Sequence, residues 1–283
     1  MEELAGRVAV VTGAASGIGL ALARAFAAES MAVVLADVEE AALEKAAAER
    51  AEAGADTLAV PTDVSDAAAV ADLAVAAYER FGAVHVLCNN AGVSGGGLTW
   101  EIPLADWDWI LGVNLRGVIN GVHAFVPRMI AGGAEGHVVN TASIAGLVST
   151  PFMAGYNVSK HGVVALSETM SVELAMLGTP IGVSVLCPGW VRTRIHEADR
   201  NRPGGSASGG DPAVAAMRSV VEQWIAEGMD PADVAAAVVD AVRNRRFYVK
   251  THAAMEELIR RRHAAIEEGA DPPMSMPTDF TAN

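Results

Sequence analysis

The fold is decided by Val8-Ala9-Val10-Val11-Thr12-Gly13-Ala14-Ala15-Ser16-Gly17-Ile18-Gly19-Leu20: an apolar β-branched run, a turn rich in glycine, and the opening of a helical pattern. A strand covered on both faces reads as a continuous apolar run. Glycines between such a strand and a helix permit positive φ and let backbone amides approach an anion at the positive helix end. Gly13, Ser16, Gly17, Ile18 and Gly19 therefore form a candidate cradle for a diphosphate. The same glycines also suit any tight strand-to-helix turn, so support must come from further along the chain.

It comes first from Asp37, which closes the next apolar run, Ala32–Leu35, 18 residues beyond Gly19. An acid at that place can accept hydrogen bonds from the adenosine ribose hydroxyls and would repel a 2′-phosphate. No basic residue stands at Ala36 or Val38, and the loop carries Ser16 rather than Arg or Lys, so NAD is expected over NADP. A solvated acid at a strand end is the plainer alternative.

Further outward, apolar runs recur at Thr57–Val60, Val84–Leu87, His137–Asn140 and Gly182–Leu186, with a seventh at Phe247–Lys250. Between them lie helical windows over 17–29, 39–53, 66–81, 104–131, 154–177 and 231–244, several opened by caps such as Ser65 or Asp66, Asp106 and Asp230-Pro231. This alternation predicts an α/β fold: one Rossmann-type, doubly wound parallel sheet of about seven strands with helices on both faces. The dinucleotide-binding catalytic domain is expected over 1–250, and a helical tail over 251–283. The tail is a charged helix with a Pro- and Met-rich end, expected to fray or to serve an oligomer contact.

One segment breaks the pattern. Arg200–Pro212 reads as a mobile loop, and after it Val214, Met217, Val220, Val221, Trp224 and Ile225 recur at helical spacing. The region 194–227 is thus either a docked surface helix or a lid over a substrate pocket.

Composition narrows the partners. The 283 residues carry 20 basic against 34 acidic groups, a net charge of −14, which disfavours nucleic acid and anionic membrane surfaces. No apolar run approaches the ~18 residues of a spanning helix. Met1-Glu2-Glu3 does not open a secretory signal, and a cytoplasmic protein is expected. Cys88 and Cys187 each end an apolar run and read as buried reduced thiols, while the seven histidines are scattered without a ligand pattern, so no metal is expected.

The spacing Gly-x-x-x-Gly-x-Gly at 13–19 resembles that of the short-chain dehydrogenase/reductase family, in its short single-domain branch. Further matches follow in register with the strands. They are Asn89-Asn90-Ala91-Gly92, Ser143, Tyr156-Asn157-Val158-Ser159-Lys160 and Pro188-Gly189-Trp190-Val191-Arg192-Thr193. Tyr156 and Lys160 lie four apart on a helical window and share a face. An adjacent ammonium favours the phenolate, which makes Tyr156 a plausible general acid/base, although a bare Tyr/Lys pair is more often a surface contact.

The resemblance implies that Ser143 steadies the substrate oxygen and that Lys160 also grips the nicotinamide ribose. Asn114, on the apolar stripe Trp107, Leu111, Asn114, Val118, Val122, Phe125 and Met129, is by the same resemblance a fourth catalytic member holding a water beside Lys160; otherwise it is a satisfied core amide. For the cofactor, the resemblance implies that Asp63 and Val64 flank the adenine and that Asn90, Ala91 and Gly92 lie along the ribose. Val191 and Thr193 would meet the carboxamide, on a turn shaped by Pro188 and Gly189.

The expected activity is hydride exchange between NAD and a secondary alcohol or ketone. An NADP-dependent carbonyl reductase, an epimerase of the longer branch and a non-catalytic dinucleotide sensor are the rivals. Met153, Trp190, Met217 and Trp224, beside Ser94-Gly95-Gly96-Gly97, suggest an apolar substrate, though each could equally be core. The apolar helices at 104–131 and 154–177 suggest self-association, and the resemblance implies a tetramer or dimer.

Overall fold

The computed structural model describes residues 1, 3–204 and 212–273, with 212–218 as backbone only. Among these residues seven parallel strands form one sheet: β1 Val8–Thr12, β2 Ala32–Asp37, β3 Thr57–Pro61, β4 Val86–Asn89, β5 Gly136–Thr141, β6 Ile181–Cys187 and β7 Tyr248–Lys250. Their order is β3-β2-β1-β4-β5-β6-β7. β1 aligns Val10 with Val34 on one side and with Leu87 on the other. β1, β4 and β5 are buried along their whole length, so β1 runs apolar from Val8 to Val11 without alternation, while β5 carries the polar His137, Asn140 and Thr141 into the interior.

Nine helices connect and cover them: α1 Gly17–Ala28, α2 Glu40–Glu52, α3 Ala67–Phe81, α4 Leu104–Leu111, α5 Gly117–Gly132, α6 Ala154–Met176, α7 Pro212–Ala226, α8 Pro231–Asn244 and α9 Met255–Glu268, again among the described residues. On one face Leu22 and Phe26 of α1 and Val238 and Val242 of α8 pack against Val33, Leu35 and Leu186. On the other, Leu73 of α3, Phe125 and Met129 of α5 and Met170 of α6 cover Val10, Val34, Leu87 and Val138. Burial of each such large side chain contributes about 1.5–3 kcal/mol. Two of the helices start at an oxygen cap, α3 with Asp66 on the amide of Ala68 at 2.8 Å and α8 with Asp230 on that of Ala232 at 2.9 Å, whereas Asp106, expected as a start signal, lies inside the first turn of α4, whose N-cap is Pro103.

Two expectations change. The single helix over 104–131 is instead α4 and α5 joined by a π-helical turn, Gly112–Arg116, which carries Asn114 inward to complete burial. The tail is not frayed through α9, where Met255 and Leu258 are buried against Ile144 and Val148, with Trp190 packed alongside. Residues 205–211 of the expected mobile loop, the side chains of Val214 and Met217, and the Pro- and Met-rich end at 274–283 lie outside the described residues.

The topology also places the site. The chain runs from β1 outward to β2 and β3, then returns to β4 on the opposite side of β1. The loops after β1 and β4 consequently diverge, and a crevice opens at their carboxyl ends.

Candidate active site

The crevice is built from backbone as much as from side chains. Gly13 has φ +66°, and a methyl group there would lie 2.8 Å from the Cα of Ala91. One on Gly19 would lie 2.0 Å from the carbonyl oxygen of Gly13 and 2.6 Å from Asn90 Nδ2. The glycine loop and the segment after β4 are locked together by Thr12, whose Oγ1 accepts from the amides of Asn90 at 2.9 Å and Ala91 at 3.1 Å. Asn90 Nδ2 returns a bond to the Thr12 carbonyl at 3.0 Å. α1 begins without a side-chain cap, because Ser16 makes no such bond, and its first residues line the crevice. At the lip, Asp37 accepts from the amides of Ala15 at 2.9 Å and Glu39 at 3.0 Å. Uncapped amides, glycines that leave the space of a Cβ, and a carboxylate beyond them form a donor and acceptor set that fits a dinucleotide's diphosphate and ribose.

The opposite end of the crevice holds the proton-handling groups. Tyr156 and Lys160 stand one turn apart on α6, with Lys160 Nζ 5.5 Å from the centre of the Tyr156 ring. The ammonium donates to the carbonyl of Thr141 at 2.9 Å and is 2% exposed. Burial lowers its pKa to about 8. Ser143, just beyond β5, is hydrogen-bonded to the phenol of Tyr156, and its Oγ also accepts from the amide of Ala145 at 3.1 Å. The sequence suggested a phenol depressed by its ammonium. In this geometry burial dominates and pushes the phenol up, with the Ser143 hydrogen bond pulling against it.

Asn114 donates both amide hydrogens, to Val93 O at 2.9 Å and Ser159 Oγ at 3.2 Å, and its Oδ1 accepts from the Val93 amide at 2.8 Å. A methyl group on Gly92 would lie 3.4 Å from Asn114 Oδ1 and 3.6 Å from Lys160 Nζ, so both groups open onto one small space beside that glycine.

Of the catalytic and cofactor residues singled out in the sequence, Asn114 alone does not line the crevice; it supports the wall from behind, and of the apolar candidates Met153 and Trp190 line the crevice while Trp224 does not. Gly13, Ser16 through Gly19, Asp37, Asp63, Val64 and Asn90 through Gly92 line it together with Ser143, Tyr156, Lys160, Pro188, Gly189, Val191 and Thr193. Several contributors escaped sequence reading. Thr12, Thr141 and Ser159 act through backbone or through another side chain, and Arg194 and Arg200 enter from a segment that carries no motif.

That segment, a 3-10 helix over Ile195–Asn201, crosses the mouth as a strap. Arg200 and Asn201 bond Glu39 on one bank, while Ala198 packs with Val93 and Ile110 on the other. Arg202, beyond it, pairs with Asp106 and lies over the Trp109 ring at 5.9 Å. Beside the proton-handling groups the wall is apolar, formed by Val93, Trp109, Met153, Trp190, Val221 and Ile225. Trp224 packs on Trp190 at 5.6 Å between ring centres. Below Trp190, His252 Nδ1 accepts from the amide of Gly189 at 3.2 Å and Nε2 lies 3.1 Å from the Trp190 carbonyl, so His252 and the start of α9 shortly after it prop this turn.

The family model described as "short chain dehydrogenase" matches residues 7–203. A curated relative, 1-deoxy-11-beta-hydroxypentalenate dehydrogenase of Streptomyces arenae, is 40% identical over 247 residues, covering 86% of this chain and 81% of its own. The C alpha-dehydrogenase of a Sphingobium strain is 34% identical over 282 residues, 98% of this chain and 90% of its own. Among solved structures, a short chain dehydrogenase/reductase from Burkholderia phymatum in complex with NAD superposes with a TM-score of 0.94 at 44% identity, covering 97% of this chain and all of that one.

Proposed function

The chain belongs to the short-chain dehydrogenase/reductase family and is an oxidoreductase, and from that premise we propose that it interconverts an apolar secondary alcohol and its ketone with NAD(H) as coenzyme. The observation that carries this is the placement of Ser143, Tyr156 and Lys160 between the glycine cradle and an apolar wall within one crevice. The NAD held by the Burkholderia protein supports the coenzyme, and the acid at Asp37 supports NAD over NADP. A relative named for a hydroxypentalenate supports a hydroxyl on a carbon skeleton as the reacting group.

When bound, the nicotinamide supplies a hydride acceptor or donor for the substrate carbon. The chain's own groups handle the rest. In reduction the phenol of Tyr156, held protonated by burial, donates to the carbonyl oxygen, and Ser143 orients that oxygen. Lys160, one turn away with a pKa near 8, is poised to replace the proton, and the space shared with Asn114 beside Gly92 suits a water leading outward. In oxidation Tyr156 must be the phenolate, so that direction gains from alkaline pH. The walls of Val93, Trp109 and Trp190 exclude water and set the preference for apolar substrates.

The test is a turnover screen of diverse alcohols and ketones with both coenzymes. Activity confined to small charged sugars or hydroxy acids would overturn the substrate class. Tyr156→Phe should keep NADH affinity within about twofold and lower kcat by a factor on the order of 10² to 10⁴; turnover like the wild type's would remove Tyr156 from the mechanism. Oxidation rates should climb throughout pH 6 to 9, because the phenol is pushed above its ordinary range, while reduction rates should hold level until the Lys160 ammonium deprotonates near pH 8 and fall beyond it.

The free, buried cysteines Cys88 and Cys187 suit a reducing compartment such as the cytoplasm. Val172 and Met176 on α6 and Leu177 just beyond it are exposed at 59%, 81% and 73%, which supports self-association through that helix. Light scattering on the purified chain should return a multiple of the monomer mass.

A further inference from the structure

Glu39 stands at the N-cap of α2, yet its side chain makes no bond to that helix. It reaches instead to the strap. Its Oε1 accepts from Arg200 Nε at 2.8 Å and Asn201 Nδ2 at 3.0 Å, and Arg200 Nη2 lies 2.7 Å away. The remaining arm of the guanidinium, Nη1, donates to the carbonyl of Arg194 at 3.0 Å. Asp37, Glu39 and Arg200 all line the crevice, and the amide of Glu39 is itself bound to Asp37 Oδ1 at 3.0 Å. Two carboxylates and the Arg200 guanidinium therefore meet at the lip at the end of β2, with Arg194 close by and paired to Glu197.

We propose that Glu39 is a second determinant of coenzyme choice, acting by occupying and neutralising Arg200, a guanidinium that would otherwise receive a 2′-phosphate at this lip. The inference rests on the reading that this lip receives the adenosine ribose. A phosphomonoester carries close to two negative charges and three acceptor oxygens, and a planar guanidinium is its natural bidentate partner. With Glu39 in place that partner is already engaged, and an incoming phosphate would also meet two carboxylates. Removing the charge of Asp37 alone leaves Arg200 held, so it should not admit the phosphorylated coenzyme. Removing the charge of Glu39 as well leaves the Arg200 cation at the lip without the carboxylate bonded to it.

The experiment compares Asp37→Ser, Asp37→Ser/Glu39→Gln, and that double variant with Arg200→Ala added. NADH and NADPH binding are titrated directly by nicotinamide fluorescence, independently of turnover. Asp37→Ser should weaken NADH with little gain for NADPH. Adding Glu39→Gln should tighten NADPH by about ten- to a hundredfold, the worth of one charge-assisted hydrogen bond. Adding Arg200→Ala should abolish that gain while NADH still binds, which shows that the protein is folded. High salt should erode the gain.

If Asp37→Ser leaves NADH affinity unchanged, the ribose is not at this lip, and the proposal falls with that placement. If Asp37→Ser weakens NADH but the NADPH gain fails to appear, is already complete without Glu39→Gln, or survives Arg200→Ala, the ribose placement stands and the role of Glu39 and Arg200 is overturned.

Discussion

At the scale of the residue, what forbids a side chain matters as much as what each side chain does. Gly19 is enclosed by the Gly13 carbonyl and the Asn90 amide. Gly19→Ala should therefore force the glycine loop away from the segment after β4, costing about 1–3 kcal/mol and lowering NADH affinity at least tenfold, as thermal melts and fluorescence titration would measure. Gly19, Asp37, Tyr156 and Lys160 were legible in the sequence because their meaning lies in short-range spacing against a strand or along a helix. Arg200 was not: its partner Glu39 is 161 residues away, and a search for cations near β2 looks only at Ala36 and Val38. The protonation state of Tyr156 also escaped, because burial by residues remote in sequence outweighs the neighbour four positions on.

At the scale of the element, start signals were the more readable and interruptions the less. Asp230 caps α8 and also pairs with Arg192, but both partners of that pair are about half exposed. Screening leaves such a pair weak, so Asp230→Ala should cost about 1 kcal/mol, chiefly through the cap, and lower Tm by roughly 2–4 °C in a scanning melt. The π turn at Gly112–Arg116 left no mark on the apolar stripe, since the shift between α4 and α5 preserves an inward face on both sides. The one amide on that stripe, Asn114, sits in the turn and has as partners the backbone of Val93 and the hydroxyl of Ser159. The helix α9 looked like a loose end because its contacts come down to Met255, Leu258 and Ile259 among many charges, and their partners Ile144 and Val148 lie more than a hundred positions earlier.

For the whole molecule, the parallel sheet of seven strands covered on both faces followed from the strand and helix alternation, but the buried polar groups of the core did not. His137, fully buried in β5, has Nε2 at 2.7 Å from Ser184 Oγ. That hydroxyl donates to the Arg246 carbonyl, so the ring must donate to it and stays neutral. Burial lowers the His137 pKa to about 3, well below the ~6.5 of an exposed imidazole. Between those values the unfolded chain binds a proton that the folded one refuses. The stability contributed by the neutral ring is accordingly intact above pH ~6.5 and declines by about 1.4 kcal/mol for each unit of acidification toward 3. Chemical denaturation from pH 7.5 to 5 should be less pH-dependent in His137→Gln than in the wild type; equal slopes would refute this account.

The prop beneath Gly189 and Trp190 ties catalysis to a part of the chain that contributes no strand to the sheet. A molecule clipped after Lys250 would keep its cradle, its tyrosine and both layers of its main core, and still lose the floor under the turn that frames the reacting centre. On the function proposed, damage at that far end should lower turnover more than it lowers the melting temperature, since it strips only the small cluster around Ile144 and Val148 from the core.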